Sequence, residues 1–538
     1  MTSPPLVTIE NLSLNYHSRE VIHPALININ LSIKAGETLG LVGESGSGKS
    51  TLAHALLNLL PPQAKIHSGK ITAFNQEIKQ HSSESNLLRG QDISMIFQDP
   101  MTSLTPHMTI LEQMIEPLIH VHHISKEQAK LKARNLLESV ELPNPDLVLK
   151  KYPHELSGGM SQRVMIAIAL SSEPKLLIAD EPTTALDVTT QATILKIIKK
   201  LQQEQNMALL FVSHDLGVIH QVCDRICVMN KGKLVEEGTA MEVLSQPKEN
   251  YTQGLIASIP RLKGEKLEQL PSIAPIEMPP KPDISTTNIL SVKDLLVEYT
   301  SKGLFSSSKP FKAVNSISFQ MNEGEILGIV GESGSGKSTT AKAISGLIPY
   351  QSGEVQYRSK RLNGLHPEIQ MIFQDPASSL NPRMNIGRNI AEGLIYKKTH
   401  SKEDIFKKCI ELLKLVDLPE DYYHRYPHEL SGGQKQRIGI ARALASAPKL
   451  LICDEPVSAL DVSIQAQVLN LLKKLQRSLN LSMLFITHDI SVVRFIADKL
   501  IVMKTGEIVE AGQVDSLLEN PKETYTRTLL SSVPQMDF

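Results

Sequence analysis

The sequence is poor in cysteine, in long apolar runs and in excess charge, and each shortage excludes a class of protein. It has four cysteines in 538 residues, which argues against a disulfide framework and for a reducing cytosol. No apolar run reaches the roughly 18 residues of a membrane helix, and Met1–Glu10 lacks the features of a signal peptide. The 56 basic residues balance 57 acidic ones, so no net field draws the chain onto nucleic acid or anionic lipid.

One nine-residue run occurs twice, as Gly43–Thr51 and again as Gly331–Thr339. Each copy follows an apolar run typical of a buried strand and precedes a helical pattern. A glycine-rich turn in that position directs backbone N–H groups at phosphate oxygens, while Lys49 and Lys337 can reach the β- and γ-phosphates. The sequence therefore predicts two binding sites for a nucleoside triphosphate. The expected contacts are Gly43, Glu44, Ser45, Gly46, Ser47, Gly48, Lys49, Ser50, Thr51, Gly331, Glu332, Ser333, Gly334, Ser335, Gly336, Lys337, Ser338 and Thr339.

A pair of acidic residues ends an apolar run in each half, Asp180-Glu181 and Asp454-Glu455. In α/β proteins this end of a buried strand is where ligands bind. The aspartates, with Ser50 and Ser338 of the phosphate loops, are expected to hold Mg²⁺. The glutamates are expected to orient or deprotonate the water that attacks ATP.

The chain is one unit written twice. After the first 100 residues of each half, matching motifs lie 274 residues apart, whereas the lysines of the two loops lie 288 apart. Most of the extra length in the first half is expected in a surface loop within Gln80–Asp92. The predicted domains span residues 5–259 and 288–538. The proline-rich stretch 260–287 has no helical period and is predicted to be an extended linker.

Further motifs complete a known pattern, and the chain resembles the ATP-binding subunits of ABC transporters over nearly its whole length. Its signature runs are Leu156–Met160 and Leu430–Gln434, and each acidic pair is followed by an Ala-Leu-Asp run. The glutamines and histidines that this resemblance marks as catalytic are Gln98, Gln374, His214 and His488, and both glutamines are also expected at Mg²⁺.

The resemblance implies an α/β fold with two P-loop NTPase domains in tandem. Each would have a mainly parallel core sheet, an antiparallel β subdomain and a helical subdomain. It also implies two composite ATP sites, in which Lys49 faces Ser431 and Gly433, and Lys337 faces Ser157 and Gly159.

Three side chains qualify this picture. Tyr16 and Tyr299 match the aromatic residue that stacks on adenine, although a tyrosine there could equally be a surface residue. Met160 replaces the usual glutamine of the signature, a change expected to perturb its site only mildly. Both catalytic glutamates and both histidines are present, which predicts two hydrolysis-competent sites.

Two features resemble the oligopeptide, dipeptide and nickel importer branch. One is the run Phe373–Pro382, and the other is a Pro-x-x-x-Tyr-Thr segment after each domain, at Pro247 and Pro521. Some members bind an iron–sulfur cluster through cysteines after that segment. Since no cysteine lies between Cys227 and Cys409 or follows Cys453, we expect no cluster here.

The sequence thus predicts an ATP- and Mg²⁺-dependent subunit that energises peptide uptake from the cytoplasmic face of a bacterial inner membrane. Its expected partners are two integral-membrane permease subunits and, indirectly, an extracytoplasmic solute-binding protein, with no nucleic acid. The alternative is a tandem ABC ATPase acting on ribosomes or DNA. That reading would call for a charged helical linker or for zinc modules and a basic face.

Overall fold

The computed structural model describes residues 4–17, 21–80, 82, 86–183, 186–271, 277–282, 284–299, 302–303, 306–307, 310–396, 401–458 and 460–534. The chain divides into two compact units. The first comprises Met1–Leu186, Thr190–Ile256 and Pro534–Phe538, and the second comprises Asp187–Thr189 and Ala257–Val533.

The first unit contains a six-stranded core sheet and a four-stranded antiparallel sheet. The core strands lie in the order Lys233–Thr239, Arg225–Asn230, Thr38–Val42, Ala208–Ser213, Leu176–Asp180 and Ile93–Ile96. All neighbours are parallel except the first pair. The antiparallel strands lie in the order Ile22–Ile33, Val7–His17, Ala64–Ala73 and Gln76–Glu77.

Helices flank the two sheets of the first unit. Helices that lie between the strands Ile93–Ile96 and Leu176–Asp180 in the sequence form a separate cluster. Those up to residue 257 are Lys49–Leu56, Pro100–Ser103, Ile110–His120, Lys126–Ser139, Pro145–Val148, the 3₁₀ turn Pro153–Glu155, Gly158–Leu170, Val188–Gln205, Leu216–Val222, Ala240–Ser245 and Asn250–Ala257. The helix Lys126–Ser139 matches the helical pattern in the sequence and begins at a capping box made by Ser125 and Gln128.

The second unit repeats this architecture. Its core strands lie in the order Ile369–Ile372, Leu450–Asp454, Ser482–Ile486, Ile326–Val330, Lys499–Lys504 and Glu507–Gln513. Its antiparallel strands lie in the order Phe311–Asn322, Asn288–Tyr299, Ser352–Tyr357 and Lys360–Arg361, and a two-stranded ribbon pairs Lys302–Gly303 with Ser306–Ser307. The predicted fold class is therefore confirmed in both units.

The helices of the second unit follow the same order along the chain. They are Lys337–Ile344, Pro376–Ser379, Ile386–Tyr396, Lys402–Leu415, the 3₁₀ turns Glu420–His424 and Pro427–Glu429, Gly432–Leu444, Val462–Leu479, Ile490–Ile496, Val514–Glu519 and Thr524–Ser532.

The central strands are buried on both faces, which explains their continuously apolar sequences. Every residue of Thr38–Val42, Leu176–Asp180 and Ala208–Ser213 is buried. Because these strands are parallel, their carboxyl ends meet at one edge of the sheet. The phosphate loop, the acidic pair and His214 follow these ends directly, and Gln98 follows the end of Ile93–Ile96.

The predicted linker 260–287 lies against the second unit. Its described residues form neither helix nor strand, but several of them form hydrogen bonds with side chains of the second unit. Leu270 is buried and exchanges two hydrogen bonds with Asn470, at 3.0 and 2.8 Å. Arg494 donates to the carbonyl of Arg261 at 3.0 Å, and Arg477 donates to that of Pro279 at 2.9 Å. Residues 272–276 and 283 of this stretch lie outside the described part of the chain.

The predicted surface loop in Gln80–Asp92 is described only in part, since His81 and Ser83–Ser85 lie outside the described residues. Within the described part, Leu88 is buried in the core of the first unit. The insertion is thus tied to the core at that point.

Candidate nucleotide-binding sites

Each phosphate loop joins a buried central strand to a helix, as the sequence predicts. The helix N-caps, Gly48 and Gly336, have φ values of 104° and 100°, in a region that side-chain-bearing residues rarely adopt. A Cβ on Gly48 would also lie 2.7 Å from the carbonyl oxygen of Ala25, and one on Gly336 would lie 2.4 Å from that of Ala313. Only glycine fits at these two turns.

The lysine of each loop folds back over the loop's own carbonyl groups. Lys49 Nζ donates to the carbonyl oxygens of Gly43 at 2.7 Å and Glu44 at 2.9 Å. Lys337 Nζ makes the same two bonds in its loop, each at 2.8 Å. Burial lowers the pKa of Lys337, against the opposing attraction of nearby acids. Each ammonium group is thus held beside the loop that is expected to cradle phosphates.

A hydroxyl and a carboxylate meet beside each loop, in the arrangement expected for Mg²⁺. Ser50 Oγ donates to Asp180 Oδ1 at 3.2 Å, and Ser338 Oγ donates to Asp454 Oδ1 at 2.8 Å. Burial raises the pKa of both aspartates, and the serine hydrogen bonds partly oppose it. Oxygen donors of this kind suit Mg²⁺, so the residues fit the ion that the sequence implies.

The glutamate after each aspartate is held between the predicted glutamine and histidine. Gln98 Nε2 donates to Glu181 Oε2 at 2.9 Å, and His214 Nδ1 lies 3.2 Å from Glu181 Oε1. In the second unit the equivalent bond from Gln374 to Glu455 is 2.9 Å, and the contact from His488 is 3.4 Å.

Protonation in the second unit follows from this pairing. Burial alone would lower the pKa of His488, but the hydrogen bond and charge of Glu455 raise it overall. Burial alone would raise the pKa of Glu455, but His488 and Lys337 lower it overall. The glutamate is therefore favoured as a carboxylate, the form that can accept a proton from water.

Both glutamates have a left-handed backbone, which the sequence did not predict. Their φ values are 48° and 47°, unusual for a residue with a long side chain. The amide of Glu181 donates to the Val212 carbonyl at 2.9 Å, and that of Glu455 donates to the Ile486 carbonyl at 2.9 Å. The neighbouring strand thus fixes the conformation that aims each carboxylate.

The signature serines cap helices instead of joining these clusters. Ser157 and Ser431 are exposed N-caps of the helices Gly158–Leu170 and Gly432–Leu444. Among the described residues, neither forms a hydrogen bond with the phosphate loop of its own unit. Gln434 reciprocates the cap by accepting from the Ser431 amide at 2.9 Å, a bond that the Met160 side chain cannot make.

The predicted pair of tyrosines, Tyr16 and Tyr299, and a second pair, Tyr251 and Tyr525, differ in their contacts with the phosphate loops. Tyr16 OH is 3.4 Å from Thr51 Oγ1, whereas Tyr299 is 50% exposed. Sequence reasoning missed the site contacts of the second pair. Tyr251 OH accepts a hydrogen bond from the Glu44 amide at 3.2 Å, and Tyr525 OH accepts one from the Glu332 amide at 3.3 Å. The one available signal was their recurrence 274 residues apart. Ala185 and Ala459, of the runs after the acidic pairs, lie outside the described residues.

Comparisons with known proteins identify the family of the chain. The ABC transporter family model matches residues 26–184 and 314–458. The model described as oligopeptide/dipeptide transporter, C-terminal region, matches residues 235–282 and 509–538.

Relatives match along the full length. The chain is 42% identical over 565 residues to a protein named glutathione import ATP-binding protein GsiA from Salmonella choleraesuis, covering 100% of this chain and 91% of that protein. The protein of that name from Escherichia coli K12 is 42% identical over 557 residues, covering 98% and 89%. A solved dimeric bacterial ABC transporter cassette is 33% identical and covers 44% of this chain and 98% of its own, with a TM-score of 0.40.

In the described part of the chain, no helix combines the length and apolar character needed to cross a membrane. Within the same residues, no three His, Cys, Asp or Glu side chains are grouped so that they could hold a metal ion.

Proposed function

We propose that this chain, which belongs to the ABC transporter family of ATP-binding proteins, hydrolyses ATP to energise uptake of glutathione or other short peptides. The observation that carries this proposal is full-length identity of 42% to glutathione import ATP-binding proteins. The oligopeptide/dipeptide C-terminal region found after each domain supports the same branch.

Each ATP is held by one phosphate loop and by the signature serine of the other half. The exposure of Ser157 and Ser431 supports this arrangement, since each presents a hydroxyl and a helix N-terminus to solvent. In this proposal Lys49 pairs with Ser431, and Lys337 pairs with Ser157. Tyr16 and Tyr299 stack on adenine.

Each site carries the groups that hydrolysis needs. Asp180 or Asp454, the loop serine bonded to it and Gln98 or Gln374 would hold Mg²⁺, which would neutralise phosphate charge. Glu181 or Glu455 takes a proton from water, which attacks the γ-phosphorus as the bond to ADP breaks. His214 or His488 orients that glutamate through the contact described above.

Hydrolysis is expected to work on a separate membrane protein. Two integral-membrane permease subunits bind the ATPase at the cytoplasmic face of the inner membrane, and an extracytoplasmic binding protein delivers the solute. Loss of the γ-phosphate removes the bridge between the two halves, which then separate and drive the permease.

Reconstitution tests this function. The chain is assembled with its candidate permease pair in lipid vesicles, and ATPase activity is measured with the binding protein empty, loaded with glutathione, or loaded with an oligopeptide. We expect stimulation by a loaded binding protein and solute uptake that depends on ATP. The double variant Glu181→Gln/Glu455→Gln is the matched control and should show neither. Stimulation by ribosomes or DNA, with none by any loaded binding protein, would overturn the proposal.

A further inference from the structure

The tyrosine of each Pro-x-x-x-Tyr-Thr segment touches the phosphate loop of its own unit. Tyr251 OH accepts from the Glu44 amide at 3.2 Å, across 207 residues of sequence. The carbonyl of that same Glu44 accepts from Lys49 Nζ at 2.9 Å. The second residue of the loop is therefore fixed at its N–H by the tyrosine and at its C=O by the catalytic-site lysine.

The helix that carries the tyrosine is itself anchored to the core sheet. The Glu236 carboxylate accepts from the amides of Lys248 and Glu249 at 2.7 and 3.2 Å, just before the helix begins. Burial alone would raise the pKa of Glu236, but the amides of Lys248 and Glu249, together with the Thr252 side chain and the charge of Lys248, lower it overall, so it remains an anionic anchor. Thr252 and Leu255 are buried on the same helix. The phenol thus reaches the loop from a segment that is pinned at its start and along its inner face.

The second unit builds the same connection independently. Glu510 accepts from the amides of Lys522 and Glu523 at 2.9 and 3.3 Å, and Tyr525 OH accepts from the Glu332 amide at 3.3 Å. Lys504 Nζ lies 4.5 Å from the centre of the Tyr525 ring, a cation–π contact that fixes the ring. Burial is the main cause that raises the pKa of Tyr525 to about 12, so the hydroxyl stays neutral.

The same hydrogen bond occurs in both units, which argues that it contributes to function. The loops are 288 residues apart and the tyrosines 274 apart, so the separation between partners changed by 14 residues while the hydrogen bond was kept. Neighbouring helix positions also differ, since Gln253 and Gly254 correspond to Arg527 and Thr528.

We propose that Tyr251 and Tyr525 are positioning residues for ATP binding, and that each holds the second residue of its phosphate loop in the nucleotide-binding conformation. The C-terminal segment of each half is thereby a structural part of the ATP site. This inference rests on the proposed function, in that the two loops are taken to bind ATP.

Replacement of one hydroxyl tests the inference. Tyr251→Phe is made in the full chain with Lys337→Ala, and Tyr525→Phe with Lys49→Ala, so that binding reports the remaining loop. The dissociation constant of a fluorescent ATP analogue is measured with Mg²⁺, beside steady-state ATPase of the single Phe variants. Because a neutral hydrogen bond contributes modestly, we expect the dissociation constant and KM to rise about 3- to 10-fold while kcat changes less than twofold. A purely structural defect would instead lower the active fraction, and with it kcat.

Tyr350→Phe is the matched control, because Tyr350 packs against the core of the second unit and, among the described residues, forms no hydrogen bond with the phosphate loop. It should bind the analogue as the parent does. Phe variants that bind like their parents, with kcat and KM unchanged, would overturn the inference. If the parents themselves fail to bind ATP, the proposed function fails first. Should one Phe variant not fold, the variant in the other unit decides, since the two contacts are independent copies.

Discussion

Glu181 and Glu455 have a strained backbone conformation, and the contacts of their side chains indicate what this conformation does. A non-glycine residue at φ near 48° costs about 1–3 kcal/mol in backbone strain. The cost falls on Glu181 and Glu455 alike, directly after a buried strand, where the carboxylate meets a glutamine and a histidine. A regular extension of the strand would direct the side chain elsewhere. The strain therefore positions the group that is proposed to deprotonate water.

Removing either carboxylate's charge should slow hydrolysis. We predict that Glu181→Gln and Glu455→Gln each lower kcat by at least half, because each site is expected to be competent. The double variant should lose about 100-fold or more, the usual range for a general base. Steady-state phosphate release measures both. Glu173→Gln, an exposed carboxylate paired with Lys132, is the control, and an unchanged rate in either single variant would remove that site from the mechanism.

The exposed Tyr299 offers a separate test of adenine recognition. Stacking on a base contributes about 1–3 kcal/mol, so Tyr299→Ala should weaken ATP binding about 5- to 150-fold. Tyr299→Phe keeps the ring and should bind almost normally. Since the side chain is 50% exposed, neither change should unfold the unit. Equilibrium binding of ATP measures the effect, and unchanged affinity in the alanine variant would show that Tyr299 is only a surface residue.

At the residue scale, the sequence could locate the groups that directly follow strand ends. Asp180, Glu181 and His214 are visible because apolar runs stop at them. The left-handed glutamates and the contact of Tyr251 with the loop depend on distant segments. A backbone torsion forced by the neighbouring strand, or a partner 207 residues away, leaves no local pattern to recognise.

The two signature helices begin in different ways, which predicts different stabilities. Both serines cap their helices, but Gln434 also accepts from the Ser431 amide and donates to Tyr422 OH at 2.9 Å. Gln434→Met should therefore destabilise the second unit by about 1 kcal/mol. The reciprocal change, Met160→Gln, should stabilise the first unit by a few tenths of a kcal/mol to about 1 kcal/mol. Calorimetry of both variants measures the shifts, and equal transitions for Gln434→Met and the parent would contradict the capping argument.

Lys473 Nζ donates to the carbonyl of Leu267 in the linker at 3.3 Å, and this lysine should make stability depend on pH. Burial, helped by Arg477, Lys266 and Lys281 and opposed by Glu268, lowers the pKa of Lys473 to about 8. Between that value and the ordinary 10.5, the unfolded chain holds a proton that the folded chain has released. The free energy of unfolding should therefore rise with pH over this window.

Lys473→Met isolates this effect. We expect the parent to gain stability relative to the variant as pH rises from 7.5 to 10, measured by the difference in their melting temperatures at each pH. A difference that stays constant over this range would show that Lys473 keeps its ordinary pKa in the folded state.

At the element scale, strands and helices were predictable because their periodicities are local, and the linker's position was not. The stretch 260–287 has no period of its own, and its contact Asn470 lies 200 residues from Leu270. Carbonyl groups of an irregular segment can accept hydrogen bonds from an arginine or lysine on any nearby surface, so the sequence does not indicate where such a segment packs. The second compact unit extends back to Ala257 and so includes this stretch. The linker's boundaries at 260 and 287 therefore remain predictions.

At the scale of the molecule, the chain holds two copies of one site, each with its own loop, acids, glutamine, histidine and anchoring tyrosine. Linkage in one chain raises the effective concentration of each domain for the other above that of two separate proteins. If each ATP is shared between the halves, one chain contains both complete sites. Its specific ATPase activity should then stay constant on dilution.

We therefore predict one copy of this chain per pair of permease subunits. Tagged and untagged chains are expressed together with the permease, and the assembly is captured by the tag. The captured complex should contain no untagged chain, and its native mass should match one ATPase chain with two permease subunits. Dilution of the purified chain over a 100-fold range provides the control, since a site formed between two chains would lose activity. Recovery of untagged chain with a mass of two copies would contradict the prediction and assign each composite site to a pair of molecules.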